Sequence, residues 1–403
     1  MKNINKISVV GGGTAGFVAA LILKNRFPHL DVNMIKSERI GIVGVGEGST
    51  EHWNEFMAYI GVPYRTIIRE CDATFKAGIM FKGWAKDDYM HSIGPEADIK
   101  NGQYMTVYGK LIGERQPNKF LNTSLCWESR MFADRLNPES NPPWNQYHFN
   151  THKLNDFLTR VATHYGIKII DDEINDVILK EDGSIDHLVG SSQNHYADFY
   201  IDSTGFRKVL ISKLGAKWQS YSKYLKMKAA ITFPLGDTDE YNMWTLSEAM
   251  DYGWMFKIPV WGRSGNGYIF DSDYTTPDKA KEEVEKLLGH EIDVGKSFQF
   301  DPGALDRVWI KNCCAIGLSA SFVEPLEATS IGTSIQQTFL LMHRLPNYDE
   351  KTIEKYNKDI NDILTNLRDF IILHYVTKKE NTQFWKDIQH VQLPDSLSEN
   401  LRK

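Results

Sequence analysis

Gly11-Gly12-Gly13-Thr14-Ala15-Gly16 lies directly after the β-rich run Ile7-Ser8-Val9-Val10 and directly before the Ala/Leu-rich stretch Phe17 to Asn25. Gly-x-Gly-x-x-Gly between a strand and a helix has a physical reason at each glycine. Gly11 permits the tight turn, Gly13 lets the backbone approach a pyrophosphate, and Gly16 lets helix and strand pack closely. Asp31 to Ile35 is a second strand candidate, which completes a first βαβ unit. Such a unit commits the chain to a parallel sheet with a nucleotide-sized crevice at its carboxyl edge. An acid is expected about 20 residues beyond the last glycine to hold a ribose hydroxyl. Lys36 stands there instead, followed by Ser37 and Glu38.

Gly44-Val45-Gly46-Glu47-Gly48-Ser49-Thr50 is a second glycine-rich stretch. It reads either as a strap passing close to a flat ligand or as a flexible turn. Leu154 to Tyr165 predicts a helix, and Ile167 to Ile170 and Asp198 to Asp202 predict strands returning to the first sheet. Asp202-Ser203-Thr204-Gly205-Phe206-Arg207 then closes that segment. Further strands are expected at Lys228 to Phe233 and Tyr268 to Phe270, and Ala315 to Leu345 runs from strand through loop to helix. Ile353, Tyr356, Ile360, Ile363, Leu364, Leu367 and Ile371 form one apolar helical face. The loop Asn137 to Pro143 is set by composition, and the polar tail after Leu393 is expected to fray.

Composition narrows the function classes. With 403 residues, 42% of them hydrophobic, the chain can bury a large core. A net charge of −6 gives no general attraction to nucleic acid or anionic membranes. Apolar runs fall short of the ~18 residues a bilayer span needs, and the N-terminus lacks a secretory pattern. Cys71, Cys126, Cys313 and Cys314 match neither a zinc nor a disulfide spacing, so a reducing, cytoplasmic setting is expected.

Several separated segments together resemble the flavin-dependent halogenases of the tryptophan-halogenase type. They are Gly11 to Gly16, Gly44 to Glu47, Thr74-Phe75-Lys76-Ala77-Gly78-Ile79, Tyr147-His148-Phe149 and Asp202 to Arg207. Trp254-Met255-Phe256-Lys257-Ile258-Pro259 is similar to the family's Trp-x-Trp-x-Ile-Pro, with Phe256 at the second tryptophan. Phe322 to Thr329 resembles the segment bearing the family's glutamate, and Arg368 to Ile371, His374-Tyr375 and Phe384-Trp385 resemble its C-terminal helices.

The resemblance implies an α/β FAD-binding Rossmann-like (glutathione-reductase-like) fold with an inserted mixed sheet and a C-terminal helical region. It implies an FAD-binding core over about 1–345, in segments of about 1–50, 151–217 and 296–345. Substrate-side segments of about 51–150 and 218–295 interleave with it, and helices occupy about 346–403. The implied reaction uses reduced FAD, supplied by a separate reductase, with O2 and halide to make hypohalous acid. That oxidant is relayed to Lys76 for electrophilic halogenation of an electron-rich aromatic small molecule.

Lys76 and Glu327 are the implied catalytic pair; Phe75, Ile79, Met80 and Phe81 supply an apolar setting that lowers an amine's pKa. FAD contacts are implied at Gly11, Gly13, Thr14, Ala15, Gly16, Ser37, Gly46, Glu47, Ile174, Asp202, Gly205, Leu318 and Ile331. Thr329 and Ser330 are implied to bind halide through backbone N–H groups. His91 lines the substrate side, and Trp254, Phe256 and Pro259 wall the flavin from the substrate. No metal site is expected.

The chain is compact beside tryptophan-selective members and looks most like the broad-scope members of marine phages, which would place it in a host cytoplasm. A more open site for a phenol, an indole or another arene is therefore expected. The exposed C-terminal helices offer a surface for a homo-oligomer. Two other readings share the motifs: an FAD-dependent aromatic hydroxylase, and a flavin-binding module without turnover.

Overall fold

The computed structural model describes residues 4–42, 47–76, 78–92, 146–236, 242 and 244–402. Gly44 to Gly46, the loop Asn137 to Pro143 and Cys126 lie outside the described residues. Nine helices are used below: α1 (Thr14–Arg26), α2 (His52–Tyr59), α3 (Tyr64–Glu70), α4 (Thr151–His164), α5 (Pro277–Leu288), α6 (Thr329–Arg344), α7 (Glu350–Leu373), α8 (Gln383–Gln389) and α9 (Asp395–Arg402).

The opening strand, Lys6–Val10, is central in a six-stranded sheet. On one side lie Asp31–Lys36 and then Lys168–Asp171; on the other lie Phe199–Asp202, Cys313–Ala315 and finally Trp309–Ile310. Every pairing is parallel except the last. Val10 is in register with both Ile35 and Asp202, so the strand ends converge on the glycine loop. α1 is apolar all round from Phe17 to Leu23 and correspondingly buried. It packs against α4 and α6, which shields the sheet from solvent on that face.

The glycine loop shows why these positions carry no side chain. Gly11 has φ +118, and a Cβ there would sit 2.1 Å from the Ser203 carbonyl oxygen. A Cβ on Gly16 would sit 2.2 Å from the Gly11 carbonyl oxygen, so strand and helix meet backbone to backbone. Above Gly13 the space is open.

A seven-stranded mixed sheet forms the second layer. Its order is Lys296–Gln299, Ala229–Leu235, Arg263–Phe270, Gly253–Val260, Trp244–Met250, Gly78–Lys82 and Tyr89–Ser92. All its pairings are antiparallel except that of Trp244–Met250 with Gly78–Lys82. A small sheet of Glu47–Gly48, Tyr147–Phe149 and Thr74–Phe75 lies nearby in the chain order. It fixes the segments on either side of Lys76. α7 runs along the end of the molecule, burying Tyr356, Ile360, Leu364 and Ile371 on the face its spacing predicted.

The tail departs from expectation. Residues 395–402 form α9 rather than fraying, because Leu397 is buried and Ser396 accepts a hydrogen bond from Arg368. One apolar anchor and one polar one are enough to hold a two-turn helix. Among the described residues no helix is long and apolar enough to cross a membrane.

Gly11→Ala is expected to cost about 1–3 kcal/mol from backbone strain alone, before the clash with Ser203 is counted. Denaturant unfolding checks this, and an unchanged midpoint would contradict the geometry given for the loop.

Candidate functional site

Lys76 follows the short strand Thr74–Phe75, and its backbone N–H donates to the Gln146 carbonyl. Its side chain is 0% exposed. A strand-end lysine pinned on both sides cannot snorkel to the surface, so the amine is held inside. Nζ donates to the Ser49 carbonyl at 3.2 Å. Burial lowers its pKa to about 8, against the opposing pull of the carboxylates of Glu327 and Glu51. The same burial, with the charge of Lys76, pushes the His148 imidazole well below its ordinary value.

Glu327 comes from the other layer, at the turn leading into α6. It has φ +66 and Ala328 has φ +54, two successive left-handed residues without a glycine. This backbone is strained for L-residues and persists only when the surroundings hold it. Glu327 does not cap α6: Ala328 is the N-cap and no side chain caps that helix. Its Oε1 instead takes two hydrogen bonds, from His91 Nδ1 at 2.8 Å and His374 Nε2 at 3.0 Å. Burial raises the carboxyl, but these bonds and the charges behind them override it and hold it at about 2. The same hydrogen bond raises His91. The two ring nitrogens and the carboxylate oxygen lie within 4.8 Å of one another, a convergence the sequence spacing around His91 did not disclose. One carboxylate oxygen shared by two ring nitrogens is a hydrogen-bonded clamp.

Gly48 joins the two layers. A Cβ there would meet Ala328 Cβ at 3.1 Å and Lys76 Nζ at 3.6 Å. The amine and the left-handed turn therefore flank one glycine. Gly46 lies outside the described residues, and Glu47 is placed by its backbone alone, paired with Phe149.

A cavity of about 160 Å³ opens beside this turn. Its walls are mostly apolar: Trp254, Phe256, Ile258, Ile269, Phe298 and Phe300. Glu327, Ala328, Ser330, Ile331, Leu318 and Phe206 line it as well. Trp254 and Phe256 are both buried in that lining. Pro259 does not line the cavity; its carbonyl accepts from Thr74 Oγ1 at 2.7 Å, which braces the strand before Lys76. Ile174 opens a strand of a separate three-stranded sheet and is buried there, away from the cavity lining.

Thr329 and Ser330 begin α6, where first-turn N–H groups lack intrahelical acceptors. With no side chain capping them, they present donors and the positive end of the helix dipole.

The fit of the loop to an FAD can be judged from its own geometry. α1 starts after Gly13 with no side-chain cap and no acidic residue in its first turn, which suits its N-terminus to a pyrophosphate. Thr14 and Ala15 are the first residues of that turn. The Lys36 stem lies against Gly12, 2.7 Å from where a Cβ would be, with Ser37 following it. Asp202 ends the strand Phe199–Asp202. It is fully buried, and its two oxygens accept from Thr204, Ser319, Leu210 and Ile211. The carboxylate is used up in shaping the turn through Gly205, which has φ +67. Open glycine loop, uncapped helix and adjoining apolar cavity suit a flavin dinucleotide.

The whole stretch 6–403 matches the family model described as tryptophan halogenase. The chain belongs to the tryptophan halogenase family. It is 29% identical to the tryptophan 6-halogenase SttH of Streptomyces toxytricini, covering 100% of this chain and 84% of that one. It is 28% identical to the tryptophan 7-halogenase RebH of Lentzea aerocolonigenes, covering 99% and 81%. Among solved structures it is similar to Xcc4156, a flavin-dependent halogenase from Xanthomonas campestris, with TM-score 0.87 and 29% identity over 99% of this chain and 83% of that one. The fold is the FAD-binding Rossmann-like fold of such enzymes, and the reaction class is FAD-dependent halogenation.

For a flavin-dependent halogenase, two further residues matter that motif reading passed over. His374 and Glu324 both lie in segments quoted above, but neither drew a role. Glu324 is buried with φ +79, and burial pushes its carboxyl up to about 8. Its Oε2 accepts from Tyr375 at 2.6 Å, and Tyr375 in turn accepts from Trp254 Nε1 at 3.0 Å. This chain anchors the cavity wall to the end of α7. Only a contact between positions 51 residues apart marks it, which no local pattern carries.

Unfolded Lys76 would lose its proton near 10.5 and folded Lys76 near 8, so the unfolded chain holds more protons between those values. Burying the ammonium therefore destabilises the fold below about pH 8, and the penalty fades as pH climbs to about 10.5. Lys76→Met is expected to exceed wild type in stability at pH 7, with the gap closing through that window. Urea midpoints at pH 7 and pH 10 measure it; a gap independent of pH would contradict the burial argument.

Proposed function

We propose that Lys76 receives hypohalous acid and presents its halogen to an electron-rich aromatic small molecule, with Glu327 taking the proton that the ring loses. The observation that carries this reading is a fully buried amine against Gly48, with Gly48 and the clamped Glu327 carboxylate both lining an aromatic-walled cavity. A hydroxylase on the same fold has no use for a buried amine.

FAD would be held by Gly11, Gly13, Thr14, Ala15, Gly16 and Ser37 around its dinucleotide half, and by Gly46, Glu47, Leu318 and Ile331 near its ring. Reduced by a separate flavin reductase, it supplies with O2 the oxidising equivalent that converts halide to hypohalous acid. Asp202, Gly205 and Ile174 support this pocket through the backbone and core rather than by free side chains. Thr329 and Ser330 hold the halide through first-turn N–H groups. Trp254 and Phe256 keep the arene off the flavin and, being apolar, keep bulk water from consuming the oxidant. An arenium ion is a strong acid, so even a carboxyl held near 2 can accept its proton.

The domain division is proposed as stated from sequence, with the two large sheets supplying the flavin side and the substrate side. The free, buried Cys71, Cys313 and Cys314 support a reducing compartment.

The test supplies reduced FAD, O2 and chloride, bromide or iodide to a panel of phenols, indoles and tryptophan, with product read by mass spectrometry. Halide-dependent haloarene is expected, falling at least ~10²-fold in Lys76→Ala and in Glu327→Gln while both retain FAD. Hydroxylated product formed regardless of halide would overturn the proposal.

A further inference from the structure

His374 sits between two acceptors. Its Nδ1 lies 2.8 Å from the Phe370 carbonyl oxygen, and its Nε2 lies 3.0 Å from Glu327 Oε1. A carbonyl can only accept, so Nδ1 carries a hydrogen. The contact at Nε2 then needs a second hydrogen, on the ring or on the carboxyl. Either way the Glu327–His374 pair holds one proton more than a carboxylate beside a neutral imidazole. The surroundings suit a charged ring. His374 stacks on Phe81 with centroids 5.1 Å apart and 26° between planes, presenting the ring to an aromatic face.

We propose that His374 is a positioning residue for halogen transfer: through Glu327 it cancels the negative charge facing Lys76, and so enlarges the share of that amine that is neutral. This rests on the reading of Lys76 given above. A neutral amine has the lone pair that an ammonium lacks. With hypohalous acid, an N–X bond forms and the O–X bond breaks, and the displaced hydroxide leaves as water with a proton from the amine. The arene then attacks X: C–X forms, N–X breaks, and the nitrogen recovers one proton in exchange for the one the ring gives up to Glu327. Both halves fail if a bare Glu327 carboxylate stabilises the ammonium.

The other titratable groups around this pair are His91 and Tyr89 on the strand Tyr89–Ser92, Lys76 and His148 from the small sheet, and Glu51 just before α2. His91 donates to the same Oε1 through Nδ1, but no acceptor opposes its other nitrogen among the described contacts. A neutral His91 meets its bond, so the obligatory extra proton belongs to the His374 side.

The experiment follows Lys76 rather than turnover. Full-length protein with oxidised FAD, ¹⁵N-labelled at lysine side chains, is titrated by NMR, the Lys76 signal being assigned by its loss in Lys76→Ala. Wild type is expected to titrate near 8. His374→Asn is expected to raise the midpoint by ~1 pH unit or more, which leaves about tenfold less neutral amine at pH 7. His374→Gln, which keeps a donor toward Glu327 but no charge, is expected to do the same. In a Glu327→Gln background, His374→Asn should leave the midpoint unmoved. An unmoved midpoint in both single His374 variants overturns the proposal, as does an equal rise in the Glu327→Gln background. None of these readings needs product, so they stand apart from the arene panel. Where haloarene does form, the rising limb of kcat against pH should move with the Lys76 midpoint.

Discussion

A carboxylate 6% exposed, on a left-handed residue, is unstable on two counts, and the site exists because His91 and His374 hold it. Desolvation alone would protonate Glu327, and φ +66 alone would let the turn relax. The two imidazoles come from different elements, the strand Tyr89–Ser92 and the end of α7. Their common grip on one oxygen therefore ties the mixed sheet, the α6 entrance and the C-terminal helices together. Lys76 reaches the same point from the small sheet, with Gly48 between.

Around this clamp the charge is arranged in opposition. Burial pulls the Lys76 amine down to about 8 and hydrogen bonding pulls Glu327 to about 2. Near pH 8 one group is half deprotonated and the other wholly ionised. An electrophile donor and a weak base can then coexist without forming a mutual salt bridge. Such a bridge would tie up the amine as an ammonium. The cavity that Glu327 lines is walled mostly by apolar side chains.

What was readable in the sequence was local. The glycine loop, α1 and the central strands follow from spacing within about ten residues, and the apolar flanks of Lys76 foretold its burial. The amphipathic face of α7 was equally plain. The clamp was not, because His91, Glu327 and His374 are separated by 236 and 47 residues and no periodicity links them. The hydrogen bonds of Asp202 were not legible either, because Thr204 is local but Leu210, Ile211 and Ser319 reach its oxygens across turns that no pattern announces. The tail was misjudged because the single buried residue Leu397 outweighs a polar composition. Sheet order, with Cys313–Ala315 laid against Phe199–Asp202, likewise rests on pairings more than a hundred residues apart.

His374 and Tyr375 are neighbours in the chain, yet each secures a different glutamate of the turn before α6, Glu327 and Glu324. Synthesis proceeds from the N-terminus, and these two residues emerge after every strand of the two large sheets and after α6. A nascent chain can thus assemble its nucleotide sheet and even dock α6 while the carboxylates still lack their partners. The two glutamates therefore gain their hydrogen-bond partners only after both large sheets and α6 have been synthesised.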